Sequence, residues 1–264
     1  MCCRHLSFNW KLSGLLAPQI GDLKKLETLI LQHCSFTGWI PRSLGNLAEL
    51  SFLSLSGNNF TGWIPRSLGT LSKLQWLDLS DNQLTGYIPV STHFLPGLDL
   101  LHNLKELILS RNKLSGKIPE KLFRSNMALT QVLLDENELT GEIPSTLGLV
   151  RTLQSLHLGG NSLNGSVPSN INNLINLLGL DIQNNKLTGQ LPNFSGMNSL
   201  LRVDLSNNSF EETEAPAWLS TLPSLGILLV YYFVHKIFIS FKPSLININV
   251  KFKRGAQDYR QWTT

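Results

Sequence analysis

The feature of this sequence that most restricts its fold is a turn motif, Gly-x-[Ile/Leu/Val]-Pro, that recurs at nearly constant intervals. Its prolines are Pro41, Pro65, Pro89, Pro119, Pro144, Pro168 and Pro192, and they are 24, 24, 30, 25, 24 and 24 residues apart. A fixed period of this length is typical of a solenoid, in which each repeat is one structural unit that stacks on the next. We therefore expect a stack of coils around one continuous core.

Each repeat also carries a leucine pattern, L-x-x-L-x-x-L-x-L-x-x-N-x-L-[T/S]-G-x-I-P, which residues 71–89 show in nearly complete form. The alternation of Leu77 and Leu79 predicts a short strand whose leucines point inward, while Trp76 and Asp78 face outward on a parallel sheet. The Gly and Pro of the turn motif predict an extended path followed by a short helical or 3₁₀ segment. A buried leucine contributes roughly 1.5–3 kcal/mol, and stacking is what buries it.

An asparagine occupies the same slot in successive repeats, where the chain turns inward from the predicted strand. These residues are Asn58, Asn82, Asn112, Asn137, Asn161, Asn185 and Asn208. An amide side chain donates and accepts hydrogen bonds at once, so we expect a ladder that satisfies its own backbone and that of the next repeat. Cys34 takes this slot in the first full repeat, either as a small buried residue or as a redox-active thiol.

The repeats define three regions of the 264-residue chain. We expect residues 1–22 to be a partial N-terminal repeat with an incomplete cap, and residues 23–228 to be a solenoid of about eight full repeats plus a partial one. Six extra residues between Pro89 and Pro119 predict a loop on one face, which is either a contact site or a passive bulge. Residues 229–264 form a divergent basic and aromatic tail.

The tail also explains the net charge of +4, because residues 236–260 contain six basic residues and one acid, which leaves 16 basic and 17 acidic residues elsewhere. The solenoid is thus nearly neutral, which argues against nucleic-acid binding. We interpret the tail as an abrupt end of genuine repeat sequence, arising from intron read-through or a frameshift. The alternatives are a membrane span over Leu222–Phe241, which would have to bury Lys236, and a vestigial edge strand.

The N-terminus has no apolar stretch of the signal-peptide type. This pattern predicts either a cytosolic protein or a chain whose true beginning lies upstream. The adjacent Cys2 and Cys3 are poorly placed to bridge each other, because that geometry is strained.

The T-G-x-I-P signature and the 24-residue period resemble the plant-specific leucine-rich repeats of receptor-like kinases and receptor-like proteins. PQIGDLKKLETLIL at 18–31, CSFTG at 34–38, STLGLV at 145–150, GMNSLLRVDLSNNSF at 196–210 and EAPAWLSTLPSL at 214–225 are similar to the ectodomain of subfamily VIII of these kinases. The resemblance covers about residues 9–228. It implies an α/β solenoid, a leucine-rich-repeat horseshoe with a concave parallel β-sheet and 3₁₀ or short helices on the convex side.

The family generally binds ligands or co-receptors on the concave sheet and its edges, so the candidate ligand-binding residues come from the outward-facing strand positions and from a column beside the asparagine slots. They are Phe52, Trp76, Asp78, Arg111, Gln131, His157, Asp181 and Arg202. Phe52 and Trp76 are adjacent aromatics, which either form a contact hot spot or only stack and cover the sheet. The resemblance implies a protein or peptide ligand, a possible co-receptor and a plasma-membrane or extracellular location.

No catalytic, metal or cofactor site is expected. The sequence has no Gly-rich phosphate loop, no H-R-D and no D-F-G of a protein kinase, and its six histidines have no metal-ligand spacing. Four N-x-[S/T] sequons, at Asn59, Asn164, Asn193 and Asn207, are glycan acceptors if the chain is secreted. We therefore predict a non-catalytic recognition module of a plant receptor, here truncated. An intracellular repeat scaffold and a non-functional truncated product are the alternatives.

Overall fold

The computed structural model describes residues 4–9, 12–211, 216–230 and 249–250. Within these ranges the chain forms a succession of short strands and 3₁₀ helices, with two parallel sheets running along the stack of coils. All helices of this described part are of the 3₁₀ type. The predicted solenoid with a concave parallel sheet is confirmed.

Within the described residues the concave sheet has eleven strands. They are β1 (His5–Asn9), β3 (Thr28–Gln32), β5 (Phe52–Ser54), β7 (Trp76–Asp78), β9 (Glu106–Ile108), β11 (Gln131–Leu133), β13 (Ser155–His157), β15 (Gly179–Asp181), β17 (Arg202–Asp204), β19 (Ile227–Leu229) and β20 (Asn249–Val250). Each pairs in parallel with the strand of the next coil, as Phe52 with Trp76 and Trp76 with Glu106.

A second parallel sheet, which was not predicted from the sequence, has nine strands in the described part of the chain. They are β2 (Ser13–Leu15), β4 (Ser35–Trp39), β6 (Asn59–Trp63), β8 (Gln83–Gly86), β10 (Lys113–Lys117), β12 (Glu138–Glu142), β14 (Ser162–Gly165), β16 (Lys186–Gly189) and β18 (Ser209–Phe210). The extended path expected for the T-G-x-I-P motif is long enough in each coil to pair with the same segment of its neighbours.

Among the described residues, eight 3₁₀ helices form the convex side. They are η1 (Pro18–Asp22), η2 (Arg42–Asn46), η3 (Arg66–Thr70), η4 (Leu98–Leu100), η5 (Glu120–Leu122), η6 (Ser145–Leu149), η7 (Ser169–Asn173) and η8 (Ala217–Thr221). The motif proline precedes most of them, and the φ of −63° at Pro41 suits this position because the proline ring fixes φ near −65°. The helix η2 ends where the N–H of Leu47 donates to the carbonyl oxygen of Leu44.

The core is one hydrophobic cluster that extends from Leu16 to Val230. Leu77 and Leu79 are completely buried, as the strand alternation predicts. Most of this core consists of leucines contributed by successive coils, so burial in one coil depends on the presence of the next.

The six-residue insertion forms an irregular segment over residues 90–97, and Phe94 at its tip is highly exposed. A completely buried carboxylate, that of Asp99, accepts hydrogen bonds from the backbone N–H and the hydroxyl of Ser91. This contact fixes the base of the loop to the first turn of η4.

Part of the C-terminal region continues the solenoid. In β19, Ile227 pairs with Arg202, and β20 extends the concave sheet beyond β19. The described residues 222–230 of the proposed membrane span therefore belong to a coil, while the rest of that span lies outside the described residues. Among the described residues, no helix combines the length and the hydrophobicity that a membrane crossing requires.

Candidate functional site

The strand pairing of the concave sheet places equivalent residues of successive coils in rows across the sheet. One row contains Thr28, Phe52, Trp76, Glu106, Gln131, Ser155, Gly179 and Arg202. A second row, two residues further along each strand, contains Ile30, Ser54, Asp78, Ile108, Leu133, His157, Asp181 and Asp204. Seven of the eight candidate ligand-binding residues lie in these rows, and Arg111 lies in the turn that follows β9.

Phe52 and Trp76 form an aromatic pair on this surface. Their ring centroids are 6.3 Å apart with an interplanar angle of 50°, and they keep 38% and 36% of their surface exposed. The two interpretations of this pair are therefore compatible, since the rings contact each other and still present an apolar surface to solvent.

The apolar surface continues into the next two coils through Ile108 and Leu133, which are opposite each other and half-buried. Trp76 is directly opposite Glu106, so Ile108 is its diagonal neighbour, at a distance that an indole ring can bridge. We name Phe52, Trp76, Ile108 and Leu133 the apolar track.

Arg111 lies beside the apolar track and forms salt bridges with two carboxylates. Its guanidinium lies 3.5 Å from a carboxylate oxygen of Asp81 and 3.3 Å from one of Glu136, and these two carboxylates raise the pKa of Arg111, Asp81 the more strongly. All three side chains are largely exposed, so the pairs orient one another but contribute little to stability.

Arg111 also occupies a left-handed backbone position that recurs just before the asparagine slot. The φ angles there are 50° at His33, 51° at Asp81, 54° at Arg111, 52° at Glu136, 52° at Asn184 and 52° at Asn207, and Gly57 and Gly160 take the same position in other coils. The sharp turn away from the concave strand requires this conformation, which aims each of these side chains beside the sheet.

Asp78 does not face solvent, contrary to the prediction from the strand alternation. It is only 6% exposed, and its carboxylate accepts hydrogen bonds from the hydroxyl of Ser54 at 3.0 Å and from the backbone N–H and hydroxyl of Ser80. Small hydroxyl residues on either side enclose this carboxylate and use its acceptors. Asp78 is thus an internal support of the sheet surface.

Asp181 remains half-buried at the C-terminal part of the second row. Burial raises its pKa, and the neighbouring Asp204 raises it further, although the backbone N–H and side-chain amide of Gln183 donate to the carboxylate. His157, its partner on the preceding strand, lowers the pKa of Asp181 and so partly offsets the increase. A partly desolvated carboxylate of this kind would be stabilised by a cation from a ligand.

The remaining candidates, Gln131, His157 and Arg202, are distributed over the concave sheet. Gln131 and His157 are half-buried and Arg202 is exposed. They lie on β11, β13 and β17, so the eight candidates span several coils and form a broad surface. Within the described ranges no group of three or more metal-binding side chains comes together.

The asparagine slots form a hydrogen-bonded ladder below this surface. The Oδ1 atoms of the seven residues accept from the N–H groups of Phe36, Phe60, Leu84, Leu114, Leu139, Leu163 and Leu187. Each of these Oδ1 atoms accepts from the preceding coil, whereas the sequence predicted hydrogen bonds to the next coil. The direction of these hydrogen bonds follows from the register between neighbouring coils. Cys34, in the equivalent slot, is buried and its sulfur lies 3.4 Å from the carbonyl oxygen of Gln32.

Three of the four sequon asparagines, Asn59, Asn164 and Asn193, have exposed side chains. The fourth, Asn207, is half-buried in the left-handed position and donates from Nδ2 to Oδ1 of Asn184 at 2.6 Å. A glycan on Asn207 would replace this contact.

A shallow groove that the sequence analysis missed lies beside the start of the concave strands, with a volume of about 640 Å³. Its lining residues are Glu27, Glu49, Ser51, Lys73, Gln75, Asn103, Lys105 and Ala128. The Nζ atom of Lys73 lies 2.7 Å from Oε2 of Glu49, and this hydrogen bond with the lysine charge lowers the pKa of Glu49. These residues occupy variable positions of the repeat, so the groove is evident only when the coils are stacked.

Comparisons with known proteins give consistent results. The Leucine Rich Repeat family model matches residues 25–47, 49–71, 73–95, 103–124 and 152–174. A probable leucine-rich repeat receptor-like protein kinase of Arabidopsis thaliana is 54% identical over 134 residues, which are 51% of this chain and 14% of that protein.

Two solved structures have the same fold. The plant peptide hormone receptor RGFR1 in complex with RGF2 has a TM-score of 0.76 at 37% identity, over 83% of this chain and 34% of that one. The Arabidopsis receptor kinase HAESA in complex with the peptide hormone IDA and the co-receptor SERK1 has a TM-score of 0.77 at 33% identity, over 87% of this chain and 37% of that one.

This chain therefore spans about a seventh of the curated relative and about a third of each solved receptor. The chain therefore contains leucine-rich repeats, is similar over half its length to a plant leucine-rich-repeat receptor-like kinase, and has the fold of the ectodomains of plant leucine-rich-repeat receptors.

Proposed function

We propose that the chain is a recognition module without catalytic activity, whose concave sheet binds a protein or peptide ligand. The observation that carries this proposal is the apolar track. In it the rings of Phe52 and Trp76 contact each other, and each side chain remains more than a third exposed. Aromatic side chains are strongly enriched among the residues that dominate binding energies in protein interfaces.

The charges around the track indicate the kind of ligand. An apolar side chain of the ligand would pack on Phe52 and Trp76, and Arg111 with its two carboxylates would fix the register at the flank. Further along the sheet, the raised pKa of Asp181 favours a basic group, because a cation would stabilise the ionised carboxylate. An extended peptide with one apolar and one basic residue meets both requirements.

The solved relatives support this assignment. RGFR1 is described in complex with RGF2, and HAESA in complex with the peptide hormone IDA and the co-receptor SERK1. By analogy, a co-receptor is a second partner for this chain, and the plasma membrane or the extracellular space is its location. The three exposed sequon asparagines, Asn59, Asn164 and Asn193, would then be glycan acceptors.

The test is selection from a random peptide display library against the full chain, followed by affinity measurement with variants. Peptides that bind the concave sheet should lose about tenfold or more in affinity with Trp76→Ala, since truncation removes an aromatic anchor. Ser166→Ala, an exposed change next to the end of β14 in the second sheet, is the matched control and should leave the affinity unchanged.

Selected peptides that bind Trp76→Ala and the unmodified chain equally would refute the concave site. The location is tested separately, by the distribution of a reporter fusion in plant cells and by sensitivity of the chain to glycosidase. Retention in the cytosol without glycans would favour an intracellular scaffold.

A further inference from the structure

A second aromatic surface lies along the second parallel sheet, separate from the concave sheet. Trp39, Trp63 and Tyr87 occupy the variable position of T-G-x-I-P in three successive coils, and they are 75%, 70% and 71% exposed. We name these three residues the aromatic ridge. Three large aromatic side chains with this exposure in adjacent repeats are unusual on a monomeric surface, and such patches commonly mark a binding site.

Each ring of the ridge lies against a glycine of the following coil. A Cβ atom on Gly62 would be 3.0 Å from Cδ1 of Trp39, and one on Gly86 would be 2.7 Å from Cδ1 of Trp63. Tyr87 lies in the same way against Gly116. The backbone of the next coil therefore supports one side of each ring, and the other side is left to solvent. Since neighbouring strands are about 4.8 Å apart, the rings follow one another at nearly regular steps.

Polar and basic groups flank the ridge. Thr37 and Thr61 lie two residues before the tryptophans on the same strands and are exposed. Arg42 and Arg66 begin η2 and η3, three residues after the tryptophans, and are exposed as well. The segments 35–46, 59–70 and 83–90 contain these two arginines and no acidic residue. The ridge is thus a row of aromatic rings in a positively charged setting.

The dimensions of the ridge suit a linear polymer better than a folded protein. It is one side chain wide, and its first and last rings are about 10 Å apart at two strand spacings. A stable protein interface needs about 800 Å² on each partner, mostly around an apolar centre, whereas hydroxyl and guanidinium groups border this ridge. A chain of sugar rings presents apolar C–H faces in succession and polar groups along its edges. Its C–H groups are attracted to the electron-rich faces of aromatic rings.

We propose that the aromatic ridge binds an acidic polysaccharide, a linear chain of pyranose rings that carry carboxylates. The sugar rings stack on Trp39, Trp63 and Tyr87, one for each coil, because the step between coils is close to the length that one sugar adds to an extended chain. The carboxylates pair with Arg42 and Arg66, whose guanidinium groups match the geometry of a carboxylate. The site is separate from the concave sheet, so the two surfaces can be occupied together.

The experiment uses the full chain and three probes of equal length: oligogalacturonate, the same oligomer fully methyl-esterified, and a neutral cello-oligosaccharide. Calorimetry should detect binding of oligogalacturonate, and the double variant Trp39→Ala/Trp63→Ala should weaken it by about tenfold or more, since it removes two aromatic anchors. Arg42→Gln/Arg66→Gln should weaken oligogalacturonate binding and leave the weaker binding of the esterified oligomer unchanged.

Ser166→Ala is the matched control, because Ser166 is exposed at the same position of a later coil with no aromatic ring on it. It should bind oligogalacturonate like the unmodified chain, and thermal unfolding should show that all variants remain folded. Equal affinity for the acidic and neutral probes would overturn the assignment to an acidic polymer. Failure of all three probes to bind, or an unchanged affinity in the double tryptophan variant, would overturn the site itself. Neither result bears on the peptide selection with Trp76→Ala.

Discussion

The backbone N–H of Phe60 donates a hydrogen bond to Oδ1 of Asn82 in the following coil, with a distance of 3.0 Å. The same side chain donates from Nδ2 to the carbonyl oxygens of Leu55 at 2.9 Å and of Leu79 at 3.2 Å. One buried amide therefore satisfies backbone groups of two coils and joins them.

We expect Asn82→Ala to reduce the free energy of unfolding by on the order of 3 kcal/mol, because it leaves several buried backbone groups without a partner. Asn82→Asp should also be destabilising, since a carboxylate cannot donate to the two carbonyl oxygens. Urea unfolding measures both effects. Gln83→Ala, an exposed change next to the ladder, should stay within about 0.5 kcal/mol of the unmodified chain. A loss below about 1 kcal/mol for Asn82→Ala would contradict a joining role.

The leucine interior and the asparagine slots could be predicted because they are properties of a single repeat. Leu77 and Leu79 must point inward whichever coil follows them, and the alternation of the strand determines this. The second sheet and the direction of the Asn82 bonds depend instead on the register between coils. No pattern within one repeat specifies that register.

The candidate site was predictable in outline only. The rows of the concave sheet followed from the strand alternation, but the burial of Asp78 depends on the serines Ser54 and Ser80, which the pattern treats as filler. Trp39 and Trp63 were overlooked for a related reason, because the variable position of T-G-x-I-P has no role in the fold. Its residue type is informative only when neighbouring coils are compared.

The glycines under the aromatic ridge provide a second prediction. Gly86 and Gly189 have φ angles of +76° and +79°, but an added Cβ would be 2.7 Å from the Trp63 ring at Gly86 and 3.5 Å from the nearest Ser166 atom at Gly189. Substitution by alanine should cost about 1–2 kcal/mol at both sites, because an L-residue is strained in this region. Only Gly86→Ala should also displace an indole.

Urea unfolding gives the two free energies, and tryptophan fluorescence of the folded chain reports the displacement. We expect a spectral change in Gly86→Ala and none in Gly189→Ala. Identical spectra for both variants and the unmodified chain would show that Trp63 does not rest on the backbone of the next coil.

The carboxylate of Asp99 provides a third prediction, for the insertion. It accepts from the hydroxyl of Ser91 at 2.7 Å, and Arg124 lies 3.4 Å from it. Asp99→Ala should cost on the order of 2 kcal/mol, since it leaves the partly buried N–H of Ser91 unpaired. It should also accelerate proteolysis within residues 90–97. Asp99→Asn keeps an acceptor and should have the smaller effect. If both variants were cleaved as slowly as the unmodified chain, the buried carboxylate would not hold the loop.

The raised pKa of Asp181 gives a prediction about pH. Burial and the nearby Asp204 raise this pKa above the ordinary value of 3.8, so the folded chain binds the proton more tightly than the unfolded chain does. The ionised carboxylate therefore lowers stability at neutral pH, and this loss disappears as the pH falls through the raised pKa towards 3.8. Asp181→Asn should be more stable than the unmodified chain at neutral pH, with a difference that vanishes in acid.

Unfolding in urea across this pH range measures the difference, and NMR titration of the Asp181 carboxyl gives the pKa directly. His157 and Gln183 also contact this region and lower the pKa, so a midpoint below 3.8 would mean that their effect exceeds that of burial. The same titration affects recognition. A basic peptide held by ionised Asp181 should bind more weakly once the carboxyl is protonated, and this weakening should begin at a higher pH than for an ordinary aspartate. Asp181→Asn should bind the peptide weakly at every pH, because it carries no charge to lose.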